Sequence, residues 1–245
     1  LLEEAKQQLH IEADYEQEAA SLKRYRELLA DAPGYLLPEI YDDLTTNNVL
    51  AMSFVTGSPI ESLESGSQED RDRVITLLMS LLFREIFEFR LIQTDPNFAN
   101  YQYDSETGKL ILLDFGATRE YSSDIADAYE KLMLAATNND RDGIEAGAEA
   151  IGFFEEDIKP EQQATVVDLF VQACEPLSYD GVYDFGTSKI TEKVKDAGMK
   201  LSMEQDYWHT PPADALFLHR KLGGLYLLAV RLRARVNVRE LFLAG

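Results

Sequence analysis

Three polar side chains at fixed offsets constrain this chain more than any other feature. Asp95 lies in Gln93-Thr94-Asp95-Pro96-Asn97-Phe98-Ala99-Asn100, with Asn100 five residues after it. Asp114 comes nineteen residues after Asp95, where the apolar run Leu110-Ile111-Leu112-Leu113 ends in Asp114-Phe115-Gly116. That is the arithmetic of a phosphoryl-transfer site. One carboxylate accepts or orients the nucleophile's proton, while an amide oxygen and a second carboxylate hold the magnesium ions that bridge nucleotide phosphates. Such chemistry rests on charge neutralisation and positioning rather than on a strong protein nucleophile, and magnesium takes oxygen donors. Asp95 is therefore the candidate catalytic residue, and Asn100 and Asp114 are the candidate magnesium ligands.

Asp-Phe-Gly alone is a weak signal, because a strand-end Asp before Gly also makes a turn. A second copy, Asp184-Phe185-Gly186, has no Asp-x-x-x-x-Asn upstream and no apolar run before it. It reads as a plain loop turn. The competing structural reading of the first copy is a hairpin turn with a polar loop.

Residues 1–31 are rich in Glu, Ala, Lys, Gln and Leu, and predict a helix stopped by Ala32-Pro33-Gly34. Asp14 and Glu18 then share a face and Glu12 points away from both, which by periodicity alone reads as a solvated acidic face. Residues 36–42 and 49–55 predict two short strands joined at Asn47-Asn48, the second largely buried. A short helix starts near Pro59. Ser67 then caps a helix running to about Phe89, with apolar residues at three- and four-residue spacing from Val74 to Phe89. Residues 101–103 and 109–113 form a hairpin that presents Asp114 at its end. Helices follow over about 124–137, 141–151, 160–174, 188–198, 213–232 and 237–243, with 176–188 the most irregular stretch. No internal repeat or low-complexity linker appears, which predicts one compact unit.

A net charge of −21 argues against nucleic acid as a partner. One cysteine, Cys174, precludes an internal disulfide, and His10, His209 and His219 have no zinc spacing. No apolar run approaches the roughly eighteen residues of a membrane helix. Near the C-terminus the charge trend reverses: His219, Arg220, Lys221, Arg231, Arg233, Arg235 and Arg239 surround the run from Leu222 to Val230. This reads as a core-packing helix with arginine stems reaching out to solvent, and as an alternative an amphipathic surface for peripheral contact with a membrane or partner. Gly223-Gly224 predicts close helix packing. The start on Leu1, inside a helical pattern, suggests a fragment.

With these residues in hand, the chain resembles the UbiB/AarF family of atypical kinase-like proteins associated with ubiquinone (coenzyme Q) biosynthesis. The resemblance rests on Glu12-Ala13-Asp14-Tyr15 with Glu18-Ala19, Pro38-Glu39-Ile40, Phe87-Glu88-Phe89, Gln93-Thr94-Asp95-Pro96-Asn97, the segment from Leu112 to Arg119, and His219-Arg220-Lys221-Leu222-Gly223-Gly224. It implies an α+β, protein-kinase-like fold, with residues 1–57 as the remainder of the small lobe and 58–245 as the helical large lobe. It implies ATP and Mg2+ as cofactors. Glu12 and Asp14 would face the nucleotide, Glu18 would be the helix glutamate that pairs with a nucleotide-binding lysine, and Met52, Phe54 and Val55 would lie in the hinge that meets adenine. The implied partners are nucleotide, isoprenoid lipid or coenzyme Q biosynthesis proteins. The implied location is the cytoplasmic side of a bacterial inner membrane or the mitochondrial matrix face.

Three departures stand out. The partner lysine would lie before Leu1, no His-Arg precedes Asp95, and no Ala-Pro-Glu follows Asp114-Phe115-Gly116. The second leaves the catalytic loop anchored in some other way, and the third removes the usual peptide-docking platform. The expected function is an ATPase or small-molecule or lipid kinase of the UbiB type. The alternatives are a nucleotide-gated pseudokinase-like module that binds lipid or partners, and a phosphotransferase of the aminoglycoside or choline kinase kind, which the Asp-Phe-Gly run and Glu12-x-Asp14 disfavour.

Overall fold

In a computed structural model of the protein, residues 14–199 and 210–244 are described. Helix α1, Tyr15–Leu28, begins at Asp14, which is extended (φ −100°, ψ 92°) and accepts the N–H groups of Glu16 and Gln17 as N-cap. A helix continuous over 1–31 is thus corrected at both of its described limits: it starts after Asp14 and gives way to turns after Leu28. Strand β1, Tyr35–Leu36, follows. The two strands expected over 36–42 and 49–55 reduce to isolated bridges, Ile40 with Met52 and Thr46 with Val49. Pro38 has no N–H to give a ladder, and Thr45 Oγ1 bonds the Tyr41 carbonyl and the Ala51 N–H in its place. Val49 is 53 % exposed and Phe54 92 %, so the second segment is not the buried strand expected.

Strand β2, Ser58–Pro59, leads through a 3₁₀ turn, Ile60–Ser65, to helix α2, Gln68–Phe83. Ser67 caps α2 by accepting the Asp70 N–H at 3.1 Å, and Asp70 in turn accepts the Tyr103 hydroxyl, tying the helix start to the hairpin. The last turn, Arg84–Phe89, is π-helical and stops at Arg90, which is left-handed at φ 51°. That wide turn feeds strand β3, Leu91–Gln93, which the sequence did not reveal.

The hairpin is as expected: β4, Tyr101–Asp104, pairs antiparallel with β5, Lys109–Leu112, around Gly108 at φ 66°. β5 also pairs in parallel with β1, giving the sheet order β1-β5-β4-β2. Leu110, Ile111 and Leu112 are all buried, so this strand is covered on both faces. The sheet spans the expected boundary at residue 57, since β1 lies before it and β5 after. Strand β6, Thr118–Glu120, pairs antiparallel with β3.

Helices α3, Ser123–Thr137, α4, Arg141–Ile151, α5, Pro160–Ala173, and the short α6, Glu175–Ser178, pack as a bundle with α7, Ile190–Met199, and α8, Ala213–Arg231. Helix α9, Val238–Leu243, closes the described chain. Strand β7, Tyr183–Asp184, lies within the stretch read as irregular and pairs antiparallel with β8, Arg235–Val236, which follows α8. Among the described residues no helix is long and apolar enough to cross a membrane.

The basic C-terminal stretch divides in two. Lys221 is buried against Glu85, and His219 packs among Phe153, Phe170 and Tyr129. Arg231, in contrast, reaches outward to Glu61 and Glu64. The core-helix reading holds.

Candidate active site

Two short ladders bring the sequence-predicted residues together. β3 delivers the chain into the 94–100 loop, and β6 takes it away from Asp114-Phe115-Gly116, so pairing of β3 with β6 holds loop entry and exit side by side. The Thr94 N–H and hydroxyl both bond the Ala117 carbonyl, at 2.9 and 2.8 Å. Asn100 immediately precedes β4, and its carbonyl accepts the Leu113 N–H at 3.0 Å, which sets Asn100 across from the residue before Asp114. Beyond the site, Arg119 bonds Asp214 and Tyr121 donates to the Asp214 carbonyl, fastening β6 to α8.

Within the loop, Asn100 Nδ2 donates to Asp95 Oδ2 at 2.8 Å. The Asn97 N–H donates to the other Asp95 oxygen at 3.3 Å. The Asn100 amide is thereby oriented, with Oδ1 left as the atom a hard cation takes. Asp114 Oδ1 accepts the Gly116 N–H at 2.9 Å, leaving Oδ2 uncommitted by that turn. Glu18 comes from α1 to the same place: its Oε1 accepts the Phe115 N–H at 3.4 Å. A methyl group placed on Gly116 would lie 3.5 Å from Asp114 Oδ1 and 3.6 Å from Glu18 Oε2, so the two carboxylates flank one small space. Burial raises the Glu18 pKa above the ordinary carboxylate value, and the neighbouring charge of Asp114 raises it further. Two like charges flanking one small space fit a divalent cation, which relieves their repulsion and needs only one or two protein carboxylates when phosphates complete its shell. No group of three or more His, Cys, Asp or Glu among the described residues is arranged to hold a metal by itself.

Among the described residues, the other candidates make their contacts elsewhere. Glu12 lies outside the described residues. Asp14 is engaged as the N-cap of α1, at 3.1 and 3.3 Å from two backbone nitrogens. Met52 bridges Ile40, and Phe54 stands almost free in solvent with Val55 beside it, half-buried. Asp184-Phe185-Gly186 is a turn remote in sequence from every other candidate, with Asp184 exposed.

A model of the ABC1 atypical kinase-like domain family matches residues 1–147. The chain belongs to this family. Across 242 residues it is 35 % identical to the rat protein "Atypical kinase COQ8B, mitochondrial", covering 98 % of this chain and 45 % of the relative. Across 241 residues it is 32 % identical to the yeast (Saccharomyces cerevisiae) protein "Atypical kinase COQ8, mitochondrial", covering 97 % and 48 %. The chain thus spans about half the length of these curated relatives. A solved structure, the complex of Rv3197 with erythromycin from Mycobacterium tuberculosis, has the same fold with a TM-score of 0.71 at 20 % identity, over 95 % of this chain and 57 % of that one. The kinase-like fold class read from the sequence is the one observed.

Sequence reasoning missed a buried cluster beside the candidate site. Glu85, on the π-helical turn, is fully buried; it accepts the Tyr25 hydroxyl at 2.7 Å and the Gln93 N–H at 3.2 Å, and pairs with Lys221 from α8. Burial lowers the Lys221 pKa, and Glu85 opposes that shift. The signal was present in the sequence. Glu85 falls on the apolar stripe Leu78-Leu81-Leu82-Phe89, and Lys221 on the stripe Leu218-Leu225-Leu228, so two opposite charges sit where periodicity asks for apolar residues. Gly224 adds a close approach, since a Cβ there would lie 3.1 Å from Pro96 Cβ, whereas Gly223 faces open space.

Proposed function

We propose that this chain forms the catalytic part of an atypical kinase-like protein that binds magnesium-ATP and uses it, as an ATPase or a small-molecule or lipid kinase, in support of ubiquinone biosynthesis. The observation that carries this reading is the convergence of Asp95, Asn100 and Asp114 through the 2.8 Å Asn100–Asp95 bond and the shared end of the β4–β5 hairpin. In this reading Asn100 Oδ1 and Asp114 Oδ2 hold the cation, which when bound neutralises phosphate charge. Asp95, held between Asn100 Nδ2 and the Asn97 N–H, accepts or orients the proton of the attacking group. Glu18 lines the same space and faces the nucleotide's phosphates or the lysine that accompanies them. Asp14 and Glu12, and the Met52, Phe54 and Val55 backbone, would border the nucleotide farther out. The mitochondrial names of the rat and yeast relatives support a mitochondrial location where the source is eukaryotic.

Asp95→Asn tests the assignment in the intact protein. Magnesium-ATP binding by calorimetry stays within about threefold, while turnover falls at least ~100-fold, in keeping with loss of a proton acceptor. Unchanged turnover removes Asp95 from the chemistry.

A second reading, a nucleotide-gated lipid-binding module, is favoured by one separate observation. An apolar cavity of about 410 Å³ opens between α3, α5, α7 and α8, walled by Leu132, Phe170, Ile190, His219 and Tyr226. Tyr129 is hydrogen-bonded to His219 at 3.0 Å, and burial pushes that imidazole down to about 4, so it is neutral at physiological pH. This reading predicts that Asp95→Asn leaves isoprenoid lipid binding intact.

A further inference from the structure

The loop that carries Asp95 lacks the His-Arg pair that would ordinarily anchor it, yet its lead-in strand is among the most deeply held segments in the molecule. Leu91, Ile92, Gln93 and Thr94 are all at least 96 % buried. The group that meets the Gln93 N–H is not backbone but the Glu85 carboxylate. The same carboxylate oxygen accepts the Tyr25 hydroxyl, which also lies 3.0 Å from the Leu91 carbonyl. The second oxygen pairs with the Lys221 ammonium. Four elements therefore meet at one carboxylate: α1 through Tyr25, the π-helical turn through Glu85 itself, β3 through Gln93, and α8 through Lys221. Tyr25 continues the connection to the site, because its ring packs on Phe115 with centroids 4.7 Å apart.

We propose that Glu85, with Lys221 and Tyr25, is the positioning anchor of the Asp95 loop, taking over in this chain the role of the absent residues before Asp95. The proposal rests on the reading of Asp95 as the catalytic carboxylate. A carboxylate with no exposed surface keeps its place only if its oxygens are matched, and here they are matched by two neutral donors and one cation. The geometry also explains why the charge is worth keeping at this depth. A backbone N–H in β3 needs an acceptor from the side away from β6, and among the described residues no neighbouring strand lies there to supply one. One turn farther along α8, Gly224 allows the helix backbone to press on Pro96, so the helix that provides Lys221 also touches the loop directly.

The test separates position from mere stability. E85L/K221M replaces the pair with apolar groups of similar size, a change that often leaves stability near its original value. E85Q/K221M removes the charges but keeps an amide oxygen for the Gln93 N–H and the Tyr25 hydroxyl. Amide hydrogen exchange is read over residues 91–100 and steady-state turnover in parallel. The expected result is exchange at least about tenfold faster over this segment in E85L/K221M, with turnover down about tenfold or more, and both within about threefold of the unsubstituted protein in E85Q/K221M. Unchanged exchange in a folded E85L/K221M overturns the anchor. So does turnover retained at an unchanged melting temperature. If E85L/K221M does not fold, Tyr25→Phe carries the test: faster exchange over 91–100 supports the anchor and unchanged exchange overturns it. If the unsubstituted protein shows no turnover, the enzyme reading fails on its own, and the exchange data still decide the anchor.

Discussion

The two Asp-Phe-Gly tripeptides are nearly the same object. In each, the Asp carboxylate accepts the Gly N–H two residues on, at 2.9 Å from Asp114 to Gly116 and 2.8 Å from Asp184 to Gly186. In each, the phenylalanine is buried, Phe115 at 2 % exposure and Phe185 at 0 %. The difference lies in who receives the phenylalanine N–H. Phe185 gives it to the Ala234 carbonyl at 2.9 Å, an ordinary backbone acceptor supplied where β7 meets β8. Phe115 gives it to Glu18, a side-chain carboxylate from α1. The second turn is closed by neutral backbone, while the first draws a second negative charge toward Asp114. The tripeptide itself is a folding device that buries an aromatic and caps its own turn; what makes one copy a candidate site is the set of charges its neighbours aim at it.

The shared half of the comparison predicts shared instability. Phe115→Ala and Phe185→Ala each leave a cavity and should each lower stability by about 3–5 kcal/mol, read from urea midpoints. A cost at Phe185 far below that at Phe115 would break the equivalence. The unshared half predicts opposite behaviour at the carboxylates. Asp114→Asn should weaken magnesium-ATP binding at least ~100-fold, about 2.7 kcal/mol, while Asp184→Asn stays within about twofold in the same calorimetric titration. Loss of binding in both would place the ligand elsewhere.

Most of this contrast was legible in the sequence, because it depends on local signals. The apolar run before Asp114, and its absence before Asp184, separated the two copies, but the second is not a plain loop turn: Asp184 ends strand β7, paired with Arg235 of β8. Helices α2 to α5 and α8 were legible because each is a local pattern bounded by turn-forming residues, and at α2 the expected cap Ser67 accepts the Asp70 N–H. The pairs β3–β6 and β7–β8 were not legible, because two- or three-residue strands carry too little pattern and exist only through their partners. The start of α1 was hidden by composition, since Asp14 suits a helix interior poorly but a cap well, and only its backbone angles decide. The Glu85–Lys221 pair was visible only as two separate violations of apolar periodicity, and pairing them needs the fold.

The glycines extend the comparison in an unexpected direction. A Cβ on Gly186 would lie 2.8 Å from Arg233 Cβ and 3.1 Å from Asp184 Oδ1, whereas on Gly116 the nearest atom is 3.5 Å away. Gly186→Ala should therefore cost about 1–3 kcal/mol of stability through overpacking and leave nucleotide binding unchanged. Gly116→Ala should leave the melting temperature nearly unchanged but weaken magnesium-dependent binding by about tenfold, because its methyl enters the space between Asp114 and Glu18. Thermal melts and calorimetry on both variants give a double dissociation. The reverse pattern would mean that the space at Gly116 is packing rather than a cation site.

Glu18 gives the smallest effect and the one with a definite sign. Burial first, and Asp114 second, raise its pKa in the folded protein. The unfolded chain therefore releases this proton at a lower pH than the folded one. Stability from this group is intact at low pH, begins to fall as pH rises past the ordinary carboxylate value of 4.5, and levels off above the raised value. Glu18→Gln keeps an oxygen for the Phe115 N–H and removes the charge, so at pH 7 it should be more stable than the unsubstituted protein. The gain should be on the order of 1 kcal/mol or less, since the group is only half-buried and water screens it. At pH 4 the two should melt alike. Added magnesium should narrow the gap at pH 7 by stabilising the unsubstituted protein more, because the cation offsets the repulsion that the substitution removes. Asp184→Asn should show neither response. A gap at pH 7 that magnesium leaves untouched would assign the Glu18–Asp114 repulsion to the fold alone and remove the strongest electrostatic distinction between the two turns.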